Sequence, residues 1–521
     1  MSGTVSGLPS LGLCMAISMI AAVVSVCPVF AQEAGDVFST PEVLDLGDGR
    51  HLFADRGFLF APENRNKPDS KLVAVHFMRF DSTAEVPGTP VFMLAGGPGG
   101  SWFPGLRAGT EGVGHPAKGD LAVTLAMLED LRSVADVVII DQRGAGLSLP
   151  QMDCPNHQRL APLDRLLSAE TLAASYREFA RTCKQAWIDQ GRDPDGYTAL
   201  ELADDIDDLR RALGYGKISL FGGSFGSEWG FVTLRRHREI VERVLFRGIE
   251  GTAHTFDMPT GVLNSVRAIL AVAEQDVDLA PHVPEGGFLA AVGALIDKLG
   301  RDPATVRVRD PYTGEAVDVV VGAHELRRVW RRHVGRVGTQ DWPASLLPLL
   351  DGDLREAAER TAQFKGAYNP APAGNREAMF TSIDCGLQPT AERRKTLVSD
   401  PALALLGNIN AAYFALCEEW APPNARAALP AAAPSDIPAL FVHGTWDLST
   451  PLMNALEMMP DFPNGHLVVV ENGTHGVLRD LYREKPDVIR PLVKRFLRGE
   501  ALDGAPDRIT LTQTDFAGPA D

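Results

Sequence analysis

Short apolar runs alternate with stretches of helical spacing along much of this chain. Lys71–Phe80, Pro90–Ala95, Val137–Ile140, Ile218–Phe221, Val241–Arg247, Ile437–His443 and Leu467–Val470 are strand-like. Val137-Val-Ile-Ile140 is continuously apolar, the mark of a strand buried on both faces of a parallel sheet. Gly57–Ala61 and Lys71–Phe80, joined by a stretch rich in Pro, Asn, Lys and Asp, read as a hairpin. From Thr198 to Leu213 the apolar positions Leu202, Ile206, Leu209 and Leu213 keep helical spacing, and Gly214 and Gly216 stop the helix. Strands alternating with helices predict a mostly parallel sheet flanked by helices.

The rhythm breaks between about 255 and 430, where Ala, Leu, Arg and Pro dominate and Pro-rich joints such as Pro370-Ala-Pro372 interrupt helical stretches. This predicts an inserted, mainly helical cap over 255–430, splitting a catalytic core into 32–254 and 431–500. Residues 32–50 read as a loose start and 501–521 as a flexible tail. No internal repeat is visible. Upstream, Leu11–Val26 is apolar, the first charged residue is Glu33, and Val29 and Ala31 fit a small-x-small cleavage pattern. A signal peptide over 1–31 is the expectation. The apolar stretch is short for a span of about 20 residues, but no Lys or Arg precedes it, so a retained N-terminal anchor is the alternative.

Gly222-Gly223-Ser224-Phe225-Gly226 fits G-x-S-x-G between a predicted strand and a predicted helix, the setting of a nucleophile elbow in the α/β-hydrolase fold. Such a turn lifts the Ser224 hydroxyl above the sheet's C-terminal edge and turns the Phe225 N–H toward an oxyanion. Leu94-Ala-Gly-Gly-Pro-Gly-Gly-Ser101 follows an earlier strand, and Gly97 is the candidate for the second oxyanion donor. A serine nucleophile needs a base, and the base an orienting carboxylate, in the order Ser, acid, His. Asp447 follows the strand ending near His443, and His475, flanked by glycines, follows the strand Leu467–Val470. Both lie past strand C-termini, where this architecture puts its site. His443 competes with His475 but precedes the aspartate. His324-Glu325 starts a zinc-protease pattern that fails because position 328 is Arg. There is no P-loop and no C-x-x-C, so no metal or cofactor is expected. The basic run Arg327–Arg336 reads as a solvated helix face.

Composition narrows the partners. A net charge of −17 disfavours nucleic acid and anionic membranes and mildly favours cationic substrates. Beyond the leader four cysteines remain, Cys154, Cys183, Cys385 and Cys417, an even count that suits disulfides in an exported chain. Of three pairings, Cys154–Cys183 with Cys385–Cys417 closes the shortest loops and is the one expected.

Three motifs together resemble one family, the proline iminopeptidase and tripeptidyl aminopeptidase group of α/β-hydrolase serine peptidases. They are Gly96-Gly-Pro-Gly-Gly-Ser101, Asp141-Gln-Arg-Gly-Ala-Gly-Leu-Ser148 and Gly222-Gly-Ser-Phe-Gly-Ser227; Phe60–Arg65 and the Asp447 and His475 segments also fit. The likeness covers about 50–255 and 430–498 and is loose in the cap. It implies release of N-terminal residues from peptides, with the free amine held by carboxylates, and the leader places that activity in the periplasm or outside the cell. Glu250 and Glu228 are the candidates, against a structural or surface role for each. Ala95 stands where many iminopeptidases have His, which questions strict proline specificity. Two other readings stay open: an esterase or small-molecule amidase on the same triad, and a non-catalytic binder using the pocket.

Overall fold

The continuous apolar runs form the middle of a ten-stranded sheet. The structure, a computed structural model, describes residues 32–46, 49, 51–103, 118–152, 154, 161–331, 339–366, 376–512 and 515–518. The expected leader lies outside the described residues. The strands are β1 (Val37–Asp45), β2 (His51–Pro62), β3 (Leu72–Phe80), β4 (Val91–Leu94), β5 (Val137–Ile140), β6 (Ile218–Ser224), β7 (Val241–Ile249), β8 (Ala304–Arg309), β9 (Ala316–Val321), β10 (Ala439–Gly444), β11 (Gly465–Glu471) and β12 (Arg508–Thr510). The sheet order is β1-β2-β3-β5-β4-β6-β7-β10-β11-β12. Pairing is antiparallel from β1 to β5 and parallel from β5 through β12.

Alternation of side chains along each strand builds two cores from one sheet. Phe92, Leu94, Val138, Ile140, Ala439 and Phe441 join one cluster; Val91, Met93, Val137, Ile139, Leu440 and Val442 join the other. Helices α1 (Lys118–Arg132), α3 (Ala199–Ala212) and α4 (Phe225–Arg236) cover it, while α2 (Ala169–Asp189) packs elsewhere. Leu202, Ile206 and Leu209 of α3 and Trp229 and Val232 of α4 face the first cluster; Leu125, Leu128 and Leu131 of α1 face the second. Each such side chain contributes about 1.5–3 kcal/mol on burial, so the four-residue strands β4 and β5 are held chiefly by these layers. Thr198 caps α3 by accepting the Glu201 N–H, and the helix ends before Gly214, whose φ is +76°.

Two expectations need correction. Residues 37–45 are not loose: they form β1, paired along its length with β2. Residues 501–521 are not a free tail where described: β12 adds to the parallel sheet, and Leu511 and Phe516 are buried. The region 255–430 holds many helices, among them Pro259–Ala273, Arg376–Asp384 and Ala411–Trp420, but also the antiparallel hairpin of β8 and β9. Moreover α2, assigned by sequence to the core, packs on the helix Ala411–Trp420, with the Trp187 and Trp420 rings edge to face at 5.2 Å. Disulfides join Cys154 to Cys183 and Cys385 to Cys417.

Candidate active site

At the end of β6 the chain turns directly into α4, and three glycines make the turn possible. A Cβ on Gly222 would stand 2.4 Å from the Gly226 carbonyl oxygen, and one on Gly226 equally close to the Leu94 carbonyl oxygen. One on Gly223 would strike the Arg247 guanidinium at 2.7 Å. Ser224, at the apex, has φ 55° and ψ −137°, a region costly for a residue with a side chain. Ser227 steadies the turn: its hydroxyl donates to the Ser224 carbonyl (2.7 Å) and accepts the Glu250 N–H (2.9 Å). Phe225 is the first residue of α4, where the N–H has no intrahelical acceptor.

Asp447 lies in the loop after β10 and His475 in the loop after β11. Asp447 Oδ1 accepts the Ser449 and Thr450 N–H groups (2.9 and 3.0 Å), and Oδ2 accepts the Thr450 hydroxyl (2.9 Å). Both oxygens lie 2.9–3.0 Å from His475 Nδ1. Burial alone would raise the Asp447 pKa, but the adjacent His475 and these donors bring it down to about 2. The aspartate thus stays ionised and holds the Nδ1–H tautomer, leaving the lone pair on Nε2. A helix of the 255–430 region braces this loop, since the Ser265 hydroxyl donates to the Asp447 carbonyl at 2.7 Å.

β7 links the two halves. Ile249 pairs with Ser224 across the sheet. The preceding Gly248, φ +49°, leaves only 3.2 Å between a Cβ position and Asp447 Oδ2, and 3.4 Å to His475 Nδ1. Arg247 donates to the His475 carbonyl (3.2 Å). His443 is a fully buried spacer: its Nδ1 accepts the Ile249 N–H (3.0 Å) and its Nε2 donates to the Thr450 carbonyl (2.7 Å). Burial lowers its pKa and keeps it neutral.

The glycine loop after β4 lies against the serine. A Cβ on Gly96 would be 3.4 Å from Ser224 Cβ and 3.9 Å from its Oγ. Gly97 has φ +132°, and its N–H has no hydrogen-bond partner among the described residues.

Beyond the elbow, carboxyl groups gather. Glu228, one turn into α4, is fully buried, and its carboxylate accepts the Thr255 hydroxyl at 3.2 Å. Burial, then the nearby Glu250, hold it well above the usual carboxylate range. Asp384, from the helix Arg376–Asp384, is 1% exposed, and neither of its oxygens has a hydrogen-bond partner among the described residues. Burial raises it too, with Glu228 and Glu250 adding to the effect. Asp257, whose buried Oδ1 has no hydrogen-bond partner among the described residues, is raised by burial and by Glu250. Sequence reasoning named Glu228 and Glu250 but missed Asp384 and Asp257, because nothing local marks an aspartate that only tertiary packing brings to the elbow. The described part of the basic run 327–336 is not a solvated face: Arg328 lies over the Phe364 ring at 4.1 Å, and Arg327 donates to the Ala404 carbonyl. Positions 332–336 of the run lie outside the described residues. Among the described residues no cluster of His, Cys, Asp and Glu is arranged to hold a metal, and no helix is long and apolar enough to cross a membrane.

The parallel sheet, its covering helices and the strand–serine–helix turn define an α/β-hydrolase. Comparison with known proteins agrees. Residues 89–274 match the family described as alpha/beta hydrolase fold, and residues 404–505 the family described as TAP-like protein. Proline iminopeptidases of Neisseria meningitidis serogroups A and B are each 26% identical over 175 residues, 34% of this chain and 37% of theirs, so the chain spans little more than a third of those relatives. Similar solved structures include an epoxide hydrolase from an endophytic Streptomyces (16% identical, 91% of this chain and 98% of that one, TM-score 0.36). Another is an esterase from Thermogutta terrifontis (15%, 85% and 98%, TM-score 0.35). The chain has the α/β-hydrolase fold, and its matched regions are similar to the alpha/beta hydrolase fold and TAP-like families.

Proposed function

We propose that this protein is an exported serine aminopeptidase that releases N-terminal residues or short peptides through an acyl-enzyme, in the periplasm or outside the cell. Ser224 attacks the scissile carbonyl. His475 takes its proton and returns it to the leaving amine, while Asp447 orients His475 and stabilises the imidazolium. The N–H groups of Gly97 and Phe225 hold the oxyanion. Water then attacks the acyl-enzyme by the same route and frees Ser224.

The observation that carries the peptidase reading is the group Glu228, Glu250 and Asp384 beside the elbow, with Asp384 fully buried and both its oxygens without a hydrogen-bond partner among the described residues. Buried carboxyls that repel one another are costly; Arg426 offsets part of that cost at Glu228, and the ammonium of a free peptide N-terminus would supply a cation for Asp384.

The test is a paired rate assay of aminoacyl and tripeptidyl amides with free and with acetylated N-termini, beside Ser224→Ala. Cleavage of the free-amine forms alone, lost in Ser224→Ala, supports the aminopeptidase. Turnover of simple esters with no amide cleavage would replace it with an esterase on the same residues.

A further inference from the structure

The glycine loop after β4 belongs to no strand or helix; one hydrogen bond of its own, from the Gly100 N–H to the Gly96 carbonyl (3.1 Å), closes it, and the rest of its shape is set by other groups. Gln142, just past β5, is completely buried and reaches into it. Its Nε2 donates to the carbonyls of Ala95 (3.2 Å) and Gly96 (3.1 Å), and its Oε1 accepts the Gly99 N–H (2.7 Å). The amide can face only one way, because two carbonyls require the NH₂ and an N–H requires the oxygen. Its neighbours fix its backbone. Asp141 accepts the Leu147 N–H (2.8 Å) and meets His76 Nδ1 at 3.1 Å. Arg143 forks onto Asp205 (2.6 and 2.8 Å) and donates to the carbonyls of Glu63 and Gly196. Of these three consecutive side chains, Gln142 is the one directed at the loop.

In a trans peptide the carbonyl and the following N–H point in opposite directions. Gly96–Gly97 is trans; the cis bonds among the described residues are Gly97–Pro98 and Leu149–Pro150. Gripping the Gly96 carbonyl therefore turns the Gly97 N–H away from Gln142, on a loop whose Gly96 lies against Ser224. Without the grip the Gly96 carbonyl keeps the Gly100 N–H (3.1 Å) and the Ala95 carbonyl loses its Gln142 donor, so the peptide is freer to rotate, and a carbonyl oxygen in place of that N–H would repel the developing oxyanion.

We propose that Gln142 is the positioning residue of the oxyanion hole, holding the Ala95 and Gly96 carbonyls so that the Gly97 N–H faces the reacting oxygen. The proposal rests on Ser224 being the nucleophile. Losing one oxyanion donor outright lowers kcat by roughly 10²–10³-fold, so Gln142→Leu is expected to lose about 100-fold in kcat on an aryl ester, with KM within about twofold. Phenylboronic acid, which forms a tetrahedral adduct on a nucleophilic serine, should weaken in proportion. Gln142→Glu gives a second readout. Its carboxylate cannot donate to the two carbonyls, but its protonated form can donate to one, so the ratio of variant to wild-type kcat should rise as pH falls.

Wild-type kcat and boronate affinity in Gln142→Leu overturn the proposal. If that variant does not fold, Gln142→Glu decides, and a pH-independent ratio overturns it. If neither folds, Gln142 is a folding residue and the proposal fails. Turnover retained by Ser224→Ala would instead remove the underlying nucleophile assignment, a failure read on a different variant.

Discussion

Asp447 concentrates two opposed effects in one residue. Burial favours its neutral form, yet the adjacent His475 and three donated hydrogen bonds keep it charged, with a pKa of about 2. Replacing it with Asn puts an NH₂ where His475 Nδ1 needs an acceptor, and the ring would turn its proton to Nε2, where the base must be vacant. Asp447→Asn is expected to lower kcat by about 10³–10⁴-fold with KM little changed. A loss under tenfold in steady-state kinetics would remove Asp447 from this role. Ser224, Asp447 and His475 stand out in the sequence because glycines accompany each and each follows an apolar run. Asp384 carries no such mark, and Gln142, although it follows the apolar run Val137–Ile140 and precedes Gly144, gave no sign of its role: its partners lie on another loop, and a sequence pattern does not report which carbonyl or carboxylate a buried side chain will meet.

Elements were legible where burial forces a pattern. β4, β5 and β10 are buried at every position and read as continuous apolar runs. β1 escaped notice because most of its residues are exposed and only Leu44 is buried; β12 has three residues, too few to show a period. The β8–β9 hairpin was missed because its strands are short and partly exposed inside a helical region. The Cys385–Cys417 disulfide has a consequence at this scale. Cys385 follows Asp384 directly, and Cys417 lies on the helix Ala411–Trp420, so the bond ties the turn carrying the buried carboxyl to that helix. With the cysteines 32 positions apart in sequence, loop closure contributes about 3–4 kcal/mol. Cys385→Ser/Cys417→Ser should unfold at lower denaturant. It should also raise KM for free-amine substrates about tenfold, a loss near 1.4 kcal/mol of binding, while leaving KM for acetylated esters within twofold. An equal rise for both substrate types would mean that the bond supports the site as a whole and not the carboxyl.

The whole molecule gathers its site from ends of the chain far apart in sequence, and its stability carries the mark of that site. Phe516, near the C-terminus, lies 5.9 Å from the ring of Trp446, the residue before Asp447. At a net charge of −17, the further cost of burying Glu228, Asp257 and Asp384 falls on the folded state. All three are raised above their ordinary range, first by burial. A carboxyl with a higher pKa folded than unfolded binds more protons in the folded state, so its contribution is fully present below the unfolded pKa, about 4. That contribution is lost as pH climbs through the raised folded value. The ligand-free protein should therefore lose thermal stability as pH rises from about 5 to 8, and Asp384→Asn should flatten the slope. A peptide with a free N-terminal amine should add more to Tm at pH 7.5 than at pH 5, because the ionised carboxyls then have a cation to meet; its acetylated counterpart should show no such difference. Thermal denaturation of the two proteins across this range, with and without each peptide, checks both parts. A slope unchanged by Asp384→Asn would mean that the buried carboxyl is not the group responsible. Equal gains from the free and acetylated peptides would mean that the carboxyls do not meet the amine.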